Sequence, residues 1–115
     1  MAITEAFQAS VSVGVTEYFC ASASTTVADQ TADGVYQTLF DLSALAAGDT
    51  FRIRVYEAIS SAGTRRQLEE WTVSGVQVNP IYVTPTFIFL HKWEFSLTKI
   101  AGTDRSISWS IRKVA

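Results

Sequence analysis

The sequence is poor in the residues that build metal sites and covalent cross-links. Its 115 residues include one cysteine, Cys20, and one histidine, His91. A single cysteine cannot form a disulfide within the chain, so stability must come from packing or from partner chains, and we expect the chain to fold in a cytoplasm. A zinc site needs three or four clustered His, Cys, Asp or Glu ligands. We therefore predict that the chain binds no metal and no other cofactor.

Charge is also scarce, at 17% of the residues, and the formal net charge is −2. Nucleic-acid binding needs a basic face or stripe, whereas the nine lysines and arginines here are scattered. The longest apolar run, residues 87–90, is far shorter than the roughly 18 residues of a membrane span. We predict that neither nucleic acid nor a membrane is a partner.

A catalytic centre is not evident in the sequence. A hydrolase needs a nucleophile, a base and a group that orients the base, but His91 stands between Phe89 and Trp93, as a core or interface histidine would. Glu69 and Glu70 are neighbours within a predicted strand and so point to opposite faces, which disfavours the facing carboxyl pair of a glycosidase. We predict that the chain is not an enzyme and has no catalytic residues.

The dominant positive signal is an apolar side chain at every second position, which is the period of a half-buried strand. This alternation recurs in residues 7–15, 35–40, 51–55, 64–73, 87–97 and 106–112. It predicts an all-β fold, a single jelly-roll-like β-sandwich domain over residues 1–115, with short turns between the strands. We expect at most one helical turn, near residues 43–48, and an extended N-terminal arm at residues 1–6.

Two local features refine this prediction. The three-residue step from Leu68 to Trp71 breaks the period of two and predicts a β-bulge near Glu69 and Glu70. The segment 101–104 contains Gly102, which supplies the positive φ that a short hairpin needs. We therefore expect the strand that ends near residue 97 to pair with the strand at 106–112.

Apolar residues on the second face of several strands predict contact with other chains. Phe40 and Ile88 are such positions, and a two-layer domain of this size has only one inner layer to bury them. Self-association follows as a hypothesis. Arg52 and Arg54, on the polar face of residues 51–55, and the adjacent pair Arg65 and Arg66 are the predicted polar contacts with a partner.

Three segments resemble parts of small virion structural proteins of tailed bacteriophages. They are GVYQTLFDLSALAAGD at residues 34–49, FRIRVYE at 51–57 and KIAGTDRSISWSIRK at 99–113. The resemblance implies a capsid decoration or cement protein, a trimer seated on the major capsid protein in the virion after synthesis in the bacterial cytoplasm. It carries over no catalytic residue.

A second function remains open at this point. Aromatic side chains can stack on sugar rings, so Tyr36, Tyr56 or Trp71 would serve a carbohydrate-binding or adhesion module of a tail or head fibre. Trp93 and Trp109 share their faces with other large apolar residues, and this pattern favours a place in the core.

Overall fold

The computed structural model describes residues 2–114, and within that range the chain forms nine strands and no helix. The strands are β1 (Ile3–Val13), β2 (Tyr18–Phe19), β3 (Gly34–Asp41), β4 (Thr50–Glu57), β5 (Arg66–Ser74), β6 (Ile81–Val83), β7 (Phe87–Phe89), β8 (Glu94–Ala101) and β9 (Arg105–Val114). The segment 43–48 contains hydrogen-bonded turns only. The predicted all-β class is confirmed.

The strands form two antiparallel sheets that pack as a sandwich. Sheet A has the order β1-β9-β3-β6, with β7 also paired to β3, and sheet B has the order β2-β8-β4-β5. Strands β6 and β7 pair with opposite ends of β3 and so act as one interrupted edge strand. With those two counted as one, each sheet has four strand positions, and the order is compatible with an eight-stranded jelly roll.

The core lies between the sheets because alternate side chains of each strand point inwards. In β4 the inward residues Phe51, Ile53 and Val55 are fully buried, and in β9 Ile107 and Ile111 are fully buried opposite them. Burying one such side chain contributes about 1.5–3 kcal/mol, so this shared layer is the main stabilising feature. The alternation therefore identified the core face of these strands.

The prediction of one long strand over residues 87–97 is wrong. Strand β7 belongs to sheet A and β8 to sheet B, and the chain crosses between them at residues 90–93, where Lys92 adopts a φ of 46°. Phe89 and Trp93 nevertheless both face the core. The apolar period continues across the break because the inner faces of both sheets contact the same core.

The predicted pairing of β8 with β9 is also wrong. Strand β9 pairs with β1 and β3, whereas β8 pairs with β2 and β4, so residues 102–104 connect the two sheets instead of closing a hairpin. Gly102 has the expected positive φ, 91°. A glycine in a turn indicates a change of direction, but it does not determine which strands pair.

Irregularities within the ladders include one that the sequence predicted. Leu68 is the extra residue between β4 and β5, next to the predicted bulge at Glu69 and Glu70. The β1–β9 ladder skips Ala6 in the same way. Residues 3–5, which were expected in an extended arm, pair with residues 112–114 of β9.

Candidate functional site

Arg52 and Arg54 lie on the outer face of sheet B, as predicted, but they form ion pairs within the chain. Arg54 donates a hydrogen bond from Nε to Glu70 Oε1 at 2.7 Å, and Arg52 Nε lies 3.7 Å from the same oxygen. The bond to Glu70 raises the pKa of Arg54. Beside them, the Tyr56 hydroxyl donates to Glu17 at 2.5 Å. This face is a network of paired charges and carries little excess positive charge.

The structure does not gather the four predicted arginines into one patch. Arg65 binds Asp29, with 2.7 Å between Nη1 and Oδ1, and so ties the loop before β5 to the loop before β3. Arg66 is exposed at the start of β5, opposite Glu57 in the ladder. Of the four side chains, Arg66 is therefore the most accessible to a partner.

The two apolar residues predicted to contact a partner have opposite environments. Phe40 is fully buried, so its expected place on an outer face is wrong. It lies on the same side of β3 as the buried Tyr36, and that side is the core side. Ile88 is 82% exposed on β7, in agreement with the expectation for it.

Ile88 is one end of an apolar row that crosses all four strand positions of sheet A on its outer face. The ladders place Ile3 of β1 opposite Val114 of β9, Val114 opposite Val35 of β3, and Val35 opposite Ile88. Ile3 is 68% exposed, and the two valines are partly exposed. Neighbouring strands lie about 4.8 Å apart, so the four side chains form one continuous stripe. We call these four residues the apolar row.

Beside the apolar row, β1 and β9 present a polar, serine-rich surface, whereas the other end of β3 and the neighbouring β6 carry a second group of apolar residues, the partly exposed Leu39 and the exposed Ile81 and Val83. Ser10 and Ser108 face each other across β1 and β9, and their hydroxyls lie 3.1 Å apart. A shallow depression of about 430 Å³ opens on this face, with Glu5, Asp41 and Arg112 among its charged lining residues. Within residues 2–114, no three His, Cys, Asp or Glu side chains are grouped so that they could hold a metal ion.

The aromatic residues proposed for sugar stacking are mostly covered by protein. Tyr36 is buried, and its hydroxyl donates to the Ala32 carbonyl at 2.8 Å. Trp71 packs against Tyr82, with 5.8 Å between ring centroids, at the edge where the two sheets approach each other. Tyr56 is bound to Glu17. None of the three aromatic residues proposed for stacking presents an open platform.

The most deeply buried charged group was missed by the sequence reasoning. The Glu94 carboxylate is fully buried and accepts bonds from the backbone amides of Ala21, Ser22 and Phe95 and from the Ser22 hydroxyl, at 2.7–2.9 Å. Burial raises its pKa, and the hydrogen bond from Ser22 opposes that rise. Glu94 thus fixes the loop after β2 onto β8. The alternation marks Glu94 as outward-facing, and no local signal indicates the covering loop.

Neighbouring Cys20 is fully buried as well. Burial raises the pKa of its thiol well above the usual range, and the nearby Glu94 carboxylate adds to the rise. Only the thiolate is an effective nucleophile, so this side chain is chemically inert in the folded chain. It fills space in the core.

Asp49 is a second buried carboxylate, and it joins two loops at one end of the sandwich. It accepts bonds from Arg105 Nε at 2.6 Å and from the backbone amides of Ala46 at 2.9 Å and Thr103 at 3.0 Å. The Arg105 bond is the largest of the effects that lower its pKa, to about 2. Like Glu94, Asp49 has its acceptor capacity occupied by the protein itself, which is a structural arrangement.

The outer face of sheet A, with the apolar row and the serine-rich surface beside it, is therefore the candidate functional surface. His91 is half-buried and lies in the crossing between β7 and β8. None of the residues in the range 2–114 belongs to a helix that is long and apolar enough to span a bilayer. Comparisons with protein-family models, with curated proteins and with solved structures found no match.

Proposed function

We propose that the chain is a non-enzymatic virion structural protein, a capsid decoration or cement protein that binds the major capsid protein and stabilises the head lattice of a tailed bacteriophage. The observation that carries the proposal is the apolar row, which crosses the whole outer face of sheet A and leaves Ile3 and Ile88 largely exposed. Contiguous exposed apolar surface is typical of protein–protein contact. The segments that resemble phage virion proteins give the kind of partner.

Such a protein acts by occupying many equivalent lattice sites at once. Each contact through a single sheet face is modest, and lattice stabilisation comes from linking several capsid subunits. The four residues of the apolar row are held in register by the ladders of sheet A, so the contact surface is rigid before binding and little conformational entropy is lost. The protein would be made in the bacterial cytoplasm and retained in the virion.

The direct test is the substitution Ile88→Ser on particles that assemble with the variant protein. Ile88 is 82% exposed, so the variant should fold normally. Its free energy of binding to the capsid should weaken by about 1.5–3 kcal/mol, which is roughly ten- to a hundredfold in affinity. Ile59→Ser is the matched control, because Ile59 is 94% exposed in the loop between β4 and β5. Occupancy would be measured by quantitative mass spectrometry of purified particles. Equal occupancy of both variants, or absence of the wild-type chain from particles, would overturn the proposal.

Arg66, at the start of β5 in sheet B, gives an electrostatic test of whether the capsid contact extends beyond the outer face of sheet A. Charge reversal by Arg66→Glu should lower particle occupancy, and the loss should grow as salt is reduced, because an exposed charge acts over about 8–10 Å at moderate ionic strength. Unchanged occupancy at low salt would exclude Arg66 from the interface and leave the apolar row as the only contact proposed.

A further inference from the structure

Strand β1 has a free edge along its whole length. It spans Ile3–Val13 and pairs on one side with β9, while no other strand within residues 2–114 pairs with its second side. The backbone N–H and C=O groups on that side are therefore available to another strand. An unpaired edge of this length is a template for pairing with a further chain.

The other three edges of the sandwich each have a feature that blocks such pairing. Strand β2 has only two residues. Strand β5 carries the charges of Arg66, Glu69 and Glu70 and a bulge. The β6–β7 edge is interrupted at Pro85, which lacks an N–H donor. Strand β1 has no proline, lysine or arginine, Glu5 is its only charged residue, and its one bulge, at Ala6, leaves residues 7–13 in regular pairing with β9.

The core is also incomplete beside β1. Its inward residues Phe7, Ala9 and Val11 pack on the core but are only partly buried. The strand that should cover them from sheet B is β2, which is only two residues long. A neighbouring strand that added apolar side chains at this edge would cover them.

We propose that β1 binds β1 of a second copy of this chain, antiparallel, about a two-fold axis at Ala9. In that register Phe7 lies beside the partner's Val11 and Gln8 beside the partner's Ser10, so apolar residues meet on the core side and polar residues on the outer side. The two Glu5 carboxylates lie at opposite ends, about 26 Å apart at about 3.3 Å per residue, and do not repel each other. The strand is thus complementary to itself.

The β1–β1 dimer rests on the proposed function and extends it, because it makes a second copy of the chain a partner. A dimer differs from the trimer that the phage resemblance implies. A two-fold axis between antiparallel edge strands is perpendicular to the sheet, so the outer faces of both copies lie on the same side. The two apolar rows then face one way at opposite ends of a continuous sheet. Such a pair would contact two capsid subunits at once.

The test compares Ser10→Lys with Ser108→Lys by sedimentation velocity on purified protein, without particles. Both side chains are exposed on the outer face and form the same hydrogen bond with each other, but only Ser10 is on the edge strand. Like charges across the two-fold should weaken the dimer of Ser10→Lys at least about tenfold. A single surface charge one strand away should change the affinity of Ser108→Lys by no more than about twofold.

A second variant, Ala9→Cys, tests the register. Identical residues on the two-fold axis bring their Cβ atoms to about 4.5–5.5 Å, within reach of a disulfide after small adjustment. Oxidised Ala9→Cys should therefore run as a covalent dimer in a non-reducing gel, whereas native Cys20 is buried and should not cross-link.

Three results would overturn the pairing. The first is a wild-type chain that is monomeric at micromolar concentration, and the second is a trimer. The third is an equal loss of dimer affinity in Ser10→Lys and Ser108→Lys, which would indicate that the copies bind through the sheet face. Because these measurements use no particles, failure of the pairing leaves the particle test of Ile88→Ser unaffected.

Discussion

At the scale of single residues, the hydrogen bonds of Asp49 predict how the stability of the folded chain depends on pH. Its folded pKa of about 2 lies below the ordinary value of 3.8, so ionised Asp49 stabilises the folded chain. That contribution is fully present above the unfolded pKa and is lost as pH falls towards 2. Between about pH 5 and pH 2, wild-type stability should therefore fall more steeply than that of Asp49→Asn. Urea unfolding followed by tryptophan fluorescence would measure both, and parallel pH profiles would contradict this role of Asp49.

Gly102 packs against the same carboxylate, and its substitution tests how tightly the two loops fit. A Cβ there would lie 2.7 Å from Asp49 Cα, and the φ of 91° disfavours any side chain. Gly48 has a φ of 89° but open space where a Cβ would stand. Gly48→Ala should therefore lower the free energy of unfolding by about 1–2 kcal/mol, through the unfavourable backbone conformation alone. Gly102→Ala should cost roughly 1–3 kcal/mol more, from the steric clash. If Gly48→Ala and Gly102→Ala lower the melting temperature equally in calorimetry, the two loops joined by Asp49 must be able to move apart and accommodate the added methyl group.

At the scale of elements, the interrupted edge formed by β6 and β7 depends on one side chain. Thr84 lies between them, and its hydroxyl accepts the Thr38 amide at 3.0 Å, while its own amide donates to the Thr38 carbonyl at 3.0 Å. Thr84→Val keeps the shape of the side chain but leaves the buried Thr38 amide without its acceptor. The substitution should lower the free energy of unfolding by about 1–3 kcal/mol. The exposed neighbour Thr86→Val should be nearly neutral in the same denaturation assay. A neutral Thr84→Val would mean that another group satisfies the Thr38 amide.

The same elements show what the sequence could predict. Alternation identified the inward faces of β4 and β9, because one local pattern determines which side chains are buried. It failed at residues 87–97, where the chain moves from one sheet to the other without losing its apolar period. It also placed Phe40 outside, since β3 carries apolar residues on both faces and only the position of sheet B decides which face is covered.

At the scale of the whole molecule, the candidate surface depends on contacts between distant parts of the chain. Ile3, Val35, Ile88 and Val114 become one row only through the pairing of four strands, and no local pattern could align them. Sequence reasoning identified Ile88 from its own strand, but not its neighbours across the sheet. The free edge of β1 was likewise invisible, because edge positions follow from strand order.

The outer face of sheet A is the surface through which we propose that this sandwich binds a capsid lattice. Cryo-electron microscopy of the particles that contain the chain is the decisive measurement. We expect density for the sandwich on the head surface, with Ile88 and the rest of the apolar row against the major capsid protein. Particles that lack the chain, or a bound chain whose apolar row faces solvent, would rule out this mode of binding.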